Sequence, residues 1–220
     1  MSDPKTDLLE AALAHVVFDG WSDVTFRAAI ADSGVDTAVA RGVCPRGALD
    51  LAVAFHKKGD ADMIARLETE DMGELRYSQK VARAVQIRFE VIPDKEAVRR
   101  GATLFALPQH GAEGSQLIWG TADAIWNALG DTSDDLNWYS KRAILSGVYY
   151  STLLYWLGDD SLDSQATWDF LDRRIDDVML IEKVKSQVRS NPLLKPFMAG
   201  PNWLASQIKA PRQADLPGGG

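Results

Sequence analysis

The chain has 220 residues and a mass of 24.2 kDa, with 46% hydrophobic and 25% charged residues. This is ordinary globular composition, enough to bury a sizeable core as one domain, or as a large domain with a small one attached. The net charge is −7, from 24 bases and 31 acids, and it is unevenly spread. A single cysteine, Cys44, excludes a disulfide framework and any cysteine-based zinc site, and points to a reducing compartment.

The opening "MSDPKTDLLE" is acidic and has neither an apolar h-region nor an Arg-rich amphipathic pattern, so it reads as neither a signal nor a transit peptide. Asp3-Pro4 starts a first helix that Gly20 closes. A second helix is expected from about Ser22 to Ser33, stopped by Gly34, and a short third from Asp36 to Arg41. A fourth follows through "RGALDLAVAFHKKGDADMIARLETED", weakened by Gly59. "ELRYSQKVARAVQIRFEVI" and "PDKEAVRRGATLFAL" read as two more, and "PQHGAEGS" as a loop. "QLIWGTADAIWNALG" carries Ile118, Ala122, Ile125, Trp126 and Leu129 on one stripe. The next helix opens after "DTSDDLN", and "SQATWDFLDRRIDDVMLIEKVKSQV" is a further long one. No segment alternates with period two for long, and the class is all-α.

The stretch of residues 143–158 is apolar on every side but too short to cross a bilayer core of ~30 Å. It reads as a buried helix at the centre of a bundle. At its polar entrance Trp138 and Tyr139 stand side by side. They lie ~100° apart in projection, with Arg142 between them one turn on. Two readings are open: core residues near a helix start, or the Trp-Tyr-Arg composition of a protein–protein hot spot. "DTSDDLN" supplies caps and acids that mark the boundary and adds no chemistry of its own.

The first three helices have the layout of a TetR-type DNA-binding end, with the third where a recognition helix would lie. Residues 1–50 hold four bases (Lys5, Arg27, Arg41, Arg46) and eight acids, a balance of −4. A duplex requires phosphate-neutralising cations there, so no nucleic-acid partner is expected.

The tail has the opposite balance. Residues 183–212 contain six bases and no acid, which leaves 18 bases against 31 acids, or −13, in the rest of the chain. Interleaved bulky residues make this a candidate membrane-surface anchor through Leu194, Phe197, Met198, Trp203, Leu204, Ile208 and Lys209. The other reading is an arm packed on its own body. The three histidines, His15, His56 and His110, form no metal-ligand pair, and there is no phosphate-cradling glycine loop or nucleophile elbow. Neither a catalytic residue nor a metal is expected, and Asp159-Asp160 and Asp176-Asp177 read as solvated surface. An apolar pocket between the later helices would suit a greasy ligand.

Three stretches, "LLEAALAHVVFDGWSD", "GDTSDDLNWYSKRAILSGVYYSTLLYW" and "TWDFLDRRIDDVMLIEK", together resemble the ubiquinone-biosynthesis accessory family COQ-nine in its alphaproteobacterial form, over about residues 8–183. The D-T-S-x-D-x-N-W-Y-x-K-R segment is the most specific part, and Asp134 and Leu136 stand where the family usually has Thr and Phe. The resemblance implies a TetR-like fold that binds lipids, including isoprenoid quinone intermediates, with no other cofactor. It implies a homodimer, a C-terminal amphipathic helix that touches the membrane, and the di-iron demethoxyubiquinone hydroxylase as partner. It assigns Trp138, Tyr139 and Arg142 to the surface that engages that partner. The expected division is a helix-turn-helix-like unit over 1–50, a lipid-binding and dimerisation domain over 51–190 and a membrane-surface tail over 191–220. The expected place is cytoplasmic, peripheral at the inner membrane. Two rivals are a ligand-sensing TetR-type regulator, disfavoured by the −4 charge, and an enzyme acting in the pocket, disfavoured by the missing catalytic signatures.

Overall fold

The computed structural model describes the backbone of residues 3–134 and 136–190 and the side chains up to residue 178. The expected anchor residues Leu194, Phe197, Met198, Trp203, Leu204, Ile208 and Lys209 lie outside the described residues. Among those described, regular structure is helical, as the sequence predicts: α1 (Pro4–Asp19), α2 (Asp23–Ser33), α3 (Thr37–Val43), α4 (Ala48–Thr69), α5 (Tyr77–Glu90), α6 (Lys95–Phe105), α7 (Gly111–Ala128), α8 (Leu136–Leu157) and α9 (Gln165–Ser190). None of them is long and apolar enough to cross a membrane.

Local chemistry sets the ends. Asp3 accepts from the Lys5 amide with Pro4 in the first turn of α1, Ser22 accepts from the Thr25 amide, and Asp36 from the Ala38 and Val39 amides. One boundary differs from expectation. The stretch expected to be a loop, residues 108–115, is helical from Gly111 onward. Gly114 acts here as a contact and does not break the helix: a β-carbon on it would stand 2.8 Å from the Cβ of Phe105, so the bare backbone lets α6 and α7 close together.

By packing, the chain forms two compact units, Met1–Glu70 with Gln86–Gly120, and Asp71–Val85 with Thr121 onward. The functional division expected at residues 50 and 190 is a separate partition from this one. In the first unit α1 packs on α2, α3, α4 and α6. Its core holds Leu8, Leu9, Ala12, Val16, Trp21, Phe26, Leu51 and Ala97, with Cys44 fully enclosed and its thiol pushed up by burial. Each large aliphatic side chain so buried contributes ~1.5–3 kcal/mol. The Trp21 indole donates to the Ala97 carbonyl at 3.1 Å, which meets the polar requirement of a buried ring.

The glycine in the middle of α4 also has a packing reason. Arg88, 3% exposed, lays its guanidinium across Gly59; its Nε donates to Asp60 at 2.7 Å and its Nη2 to the His56 carbonyl at 3.0 Å. A β-carbon at 59 would meet the guanidinium at 2.6 Å. His56 shares the cluster, with Nε2 3.6 Å from Asp60. Burial pushes its pKa down to about 4; Arg88 acts in the same direction, against Asp60 and a hydrogen bond with the Leu117 backbone.

In the second unit α8 packs on α9. Val81, Val85, Ala122, Ile125, Trp126, Leu145, Val148, Tyr149, Leu153, Trp156, Leu171 and Ile175 are among its buried apolar residues. α8 is not enclosed on every side, as its composition suggests. Ala143, Gly147, Tyr150 and Leu154 form a stripe left at the surface of the single chain, the last two 45% and 50% exposed. Asp159 is more than solvated surface. It accepts from the Thr167 hydroxyl and amide and from the Ser161 amide, tying the α8–α9 turn to the first turns of α9.

Gly59→Ala should lower stability by ~2 kcal/mol or more in urea unfolding, although alanine is the better helix former by ~1 kcal/mol, because it dislodges a buried charge from its partners. The folded pKa of His56 lies below the unfolded value of ~6.5, so the unfolded chain takes up that proton first. Stability should therefore fall as pH drops from ~6.5 toward ~4, by at most ~3 kcal/mol from this group. The same titration on His56→Gln should show a shallower loss over that window.

Candidate functional site

In the second unit the end of α7, the turn after it and the start of α8 meet around one side chain. α7 closes in a left-handed glycine, Gly130 at φ 75°. The Gly130 amide donates to the Asn127 carbonyl at 3.0 Å and the Asp131 amide to the Trp126 carbonyl at 3.0 Å. These are the two reverse bonds of a Schellman motif, which only a residue free to adopt positive φ closes cheaply. The motif turns the chain so that Asp131 points inward, with its side chain 2% exposed.

Arg142, one turn into α8 and 1% exposed, meets it there. Its Nε donates to Asp123 at 2.5 Å, Nη1 to Asp131 at 3.2 Å and to the Trp138 carbonyl at 3.3 Å, and Nη2 to Asn127 at 3.1 Å. The guanidinium stacks on the Trp138 ring at 3.9 Å from its centre. Lys141 completes the cluster: Nζ donates to Asp131 at 2.6 Å and to the Ser133 hydroxyl at 2.7 Å. Ser133 in turn donates to Asp131 at 2.8 Å. Burial alone would raise the Asp131 carboxyl, but hydrogen bonds from Lys141, Ser133 and Arg142 outweigh it and hold the group below its usual range. Two cations face two anions, so the cluster is neutral and its donors are matched.

The three residues expected at a partner surface differ in how far the single chain exposes them. Trp138 and Arg142 do not stand outward as contact residues in the single chain. Trp138 is 8% exposed and lies beneath the guanidinium, while Tyr139 is half-buried and packs edge-on to Trp138 with centroids 4.8 Å apart. The acids before α8 also do more than mark a helix start, since Asp131 is an anchor. Sequence reasoning missed Asp123, Asn127 and Asp131 as a set, although their spacing of four along α7 and into its closing turn was a readable signal. What remains at the surface is the rim: Thr132, Asp134 and Leu136 exposed, with Tyr139 beside them. Every group in the cluster is engaged, and none is placed as a nucleophile or base. No group of three or more His, Cys, Asp and Glu side chains converges to hold a metal among the described residues.

Comparison with known proteins places this cluster inside a recognised segment. The COQ9 family model matches residues 112–182, which include Asp123, Asp131, Trp138 and Arg142. The mitochondrial ubiquinone biosynthesis protein COQ9 of Rattus norvegicus is 32% identical over 191 residues, covering 83% of this chain and 61% of that protein. The probable ubiquinone biosynthesis protein coq9 of Dictyostelium discoideum is 30% identical over 192 residues, covering 84% and 62%. The Homo sapiens COQ9 protein is 30% identical over 191 residues, covering 83% and 60%. The chain thus spans about three fifths of the length of these relatives. Among solved structures, a TetR transcriptional regulator from Nitrosomonas europaea superposes with a TM-score of 0.65 at 18% identity, covering 79% of this chain and 97% of that one. That likeness shows a TetR-like fold.

Arg142→Ala should destabilise the protein by ~3–5 kcal/mol, because the bonds of a buried guanidinium to Asp123, Asp131, Asn127 and the Trp138 carbonyl are lost together and a hollow is left beside the Trp138 ring. Trp138→Ala should also lower the unfolding midpoint, by the usual ~3–5 kcal/mol of a buried large-to-small change. Tyr139→Ala should fall well short of both. Urea unfolding followed by tryptophan fluorescence and by circular dichroism separates the three.

Proposed function

The chain belongs to the COQ9 family, and on that premise we propose that it is an accessory protein of ubiquinone biosynthesis. In this reading it does no chemistry itself. It binds isoprenoid quinone intermediates at the membrane surface and presents them to the di-iron demethoxyubiquinone hydroxylase, which it engages at the turn before α8, around Tyr139, Trp138 and Arg142. The observation that carries the reading is the family match over residues 112–182, which contains that turn and its buried anchor.

Other features support parts of it. The apolar pocket that the sequence suggests between the later helices would take a hydrophobic ligand rather than a polar one. The surface stripe of Ala143, Gly147, Tyr150 and Leu154 offers a second copy of the chain a close apolar approach, with small residues where two helices would cross. A homodimer through α8 follows. The tail enters by its charge: six bases without an acid over residues 183–212, on a remainder at −13, favour an anionic lipid surface. Each Lys or Arg near such a surface contributes ~1 kcal/mol. The exposed face of α3 carries Asp36 and the single base Arg41, which gives a DNA phosphate backbone little to bind.

Mass spectrometry of the full-length protein under native conditions, with identification of extracted lipid, tests the ligand; an isoprenoid quinone or its precursor is expected, and a protein with no bound lipid that also takes up none would refute that part. Truncation after Ser190 should abolish sedimentation with liposomes that contain anionic lipid, while full-length protein sediments and is partly released by salt. Equal sedimentation of the two forms would remove the tail from the membrane role.

A further inference from the structure

The end of the second unit where α8 passes into α9 shows apolar surface to solvent. In the turn between them Leu162 is 84% exposed, more than any other large hydrophobic residue among those described. The turn that carries it is firmly built. Asp163 and Ser164 adopt left-handed φ angles of 50° and 57°, a conformation that costs a residue with a β-carbon free energy and persists only where its surroundings impose it. Those surroundings are visible. The Ser161 hydroxyl accepts from the Ala166 amide at 3.0 Å, Asp159 from the Thr167 amide at 2.9 Å, and the Asp163 carbonyl from the Trp168 indole at 2.8 Å. On α8, Tyr155 is 40% exposed and stacks on the half-buried Phe170 of α9, with centroids 4.6 Å apart. The face therefore combines an aliphatic tip with an aromatic pair.

The charge around this face has one prevailing sign. Residues 160–177 expose Asp160, Asp163, Asp169, Asp172, Asp176 and Asp177 against Arg173 and Arg174, and Arg174 is held by Asp177 at 2.8 Å. Asp169, Asp172 and Asp176 follow one another turn by turn along the exposed side of α9, while Thr167, Leu171 and Ile175 are buried on the other. Burial, with Asp176 and Asp169 on either side, pushes the Asp172 carboxyl above its usual range. An anionic lipid surface is repelled by such a face, and a second copy of it would set acids against acids. What fits is a basic segment with large apolar side chains, and the chain contains one. Residues 183–212 hold six bases and no acid, interleaved with residues such as Phe197, Trp203 and Leu204. The segment is also long enough. α9 ends at Ser190, so Phe170 lies roughly 30 Å back along the helix at ~1.5 Å per residue. About nine extended residues cover that distance at ~3.3 Å each, which brings the chain beyond residue 200 within reach.

Resting on the reading of the tail as a membrane anchor, we propose that the same segment docks, away from the membrane, on the face of Tyr155, Leu162 and Phe170, with its bases toward Asp169, Asp172 and Asp176. Docking and membrane contact then compete for one set of apolar residues. In solution the anchor is sheltered, and its affinity for lipid is reduced by the fraction of time it is free. An anionic surface draws it off because it offers both charge and an apolar interior. The α8–α9 turn is a cradle for the tail and does not itself touch the membrane.

The test uses the full-length chain. Asp160→Cys places a thiol beside Leu162 for an environment-sensitive fluorophore, and Cys44 is buried and stays unlabelled in the folded protein. In solution the emission should be blue-shifted and independent of protein concentration. It should move to the red when vesicles of anionic phospholipid are added, and also when Trp203→Ser is introduced. Leu162→Ser, without label, should keep the melting curve and sediment with the same vesicles about twofold better or more, since a weakened cradle frees a tail that is docked at least half the time. Poorer sedimentation of Leu162→Ser would mean that the turn itself touches the membrane, and the proposal falls. Equal sedimentation overturns the competition. A label in water in the lipid-free chain overturns the docking, as does a blue shift that survives Trp203→Ser or grows with concentration, the last pointing to a second copy. In each of these cases the anchor reading stands as long as the unaltered chain sediments. An unaltered chain that does not sediment at all removes that reading and the competition built on it.

Discussion

A guanidinium carries five N–H donors and a charge that cannot be discharged, so a chain that buries one must build a matched cage around it. Arg142 imposes that constraint on the second unit. Its cage takes two residues of α7 one turn apart, one residue of the turn beyond Gly130, and the ring and carbonyl of Trp138. Once these are in place, the end of α7, the path of the chain and the first turn of α8 are no longer independent. The hydrophobic core holds the later part of α8 against α9, but it does not determine where α8 begins. The charged cage does.

The first unit solves a similar problem with different parts. Arg88 is as deeply buried, and it bonds to the Asp60 carboxylate and the His56 main-chain carbonyl, while the gap that receives it is opened by a glycine on the facing helix. One arginine is held by a turn and an aromatic ring, the other by a missing side chain. In both cases an apolar residue could fill the volume, and in both the polar solution fixes the orientation of one element against another within its unit. The contrast matters for function. The cage of Arg142 lies under a surface with exposed charge, while that of Arg88 ties α4 to the end of α5.

Much of this architecture was legible in the sequence. The caps Asp3, Ser22 and Asp36 and the stops Gly20 and Gly34 mark the first helices because each acts within a few residues, where spacing determines geometry. The TetR-like layout and the family resemblance were also readable, the latter from the segment around Trp138. Less was readable where a residue acts across space. Gly59 and Gly114 look like helix breakers in one dimension, but are contact points in three. Trp138 and Arg142 have the composition of an interface hot spot. Composition does not distinguish a ring that faces a partner from one that lies beneath a guanidinium. Asp131 looked like one capping acid among several because nothing local shows that Gly130 turns it inward. The tail's basic and apolar character is a property of sequence alone, and its residues lie outside those described.

The contact between Gly59 and Arg88 has a consequence for how this sequence can change over time. Neither position can be altered freely while the other stays fixed. A larger residue at 59 displaces the guanidinium, and a shorter one at 88 takes the guanidinium away from Asp60 and leaves a hollow over the glycine. The two are 29 positions apart in the chain, yet they form one unit of inheritance, in which the order of substitution decides whether an intermediate folds. A lineage that first replaced Arg88 with a compact apolar residue could then admit a side chain at 59. The reverse order passes through a form with a displaced charge. Sequences on either side of that divide should show the two positions varying together.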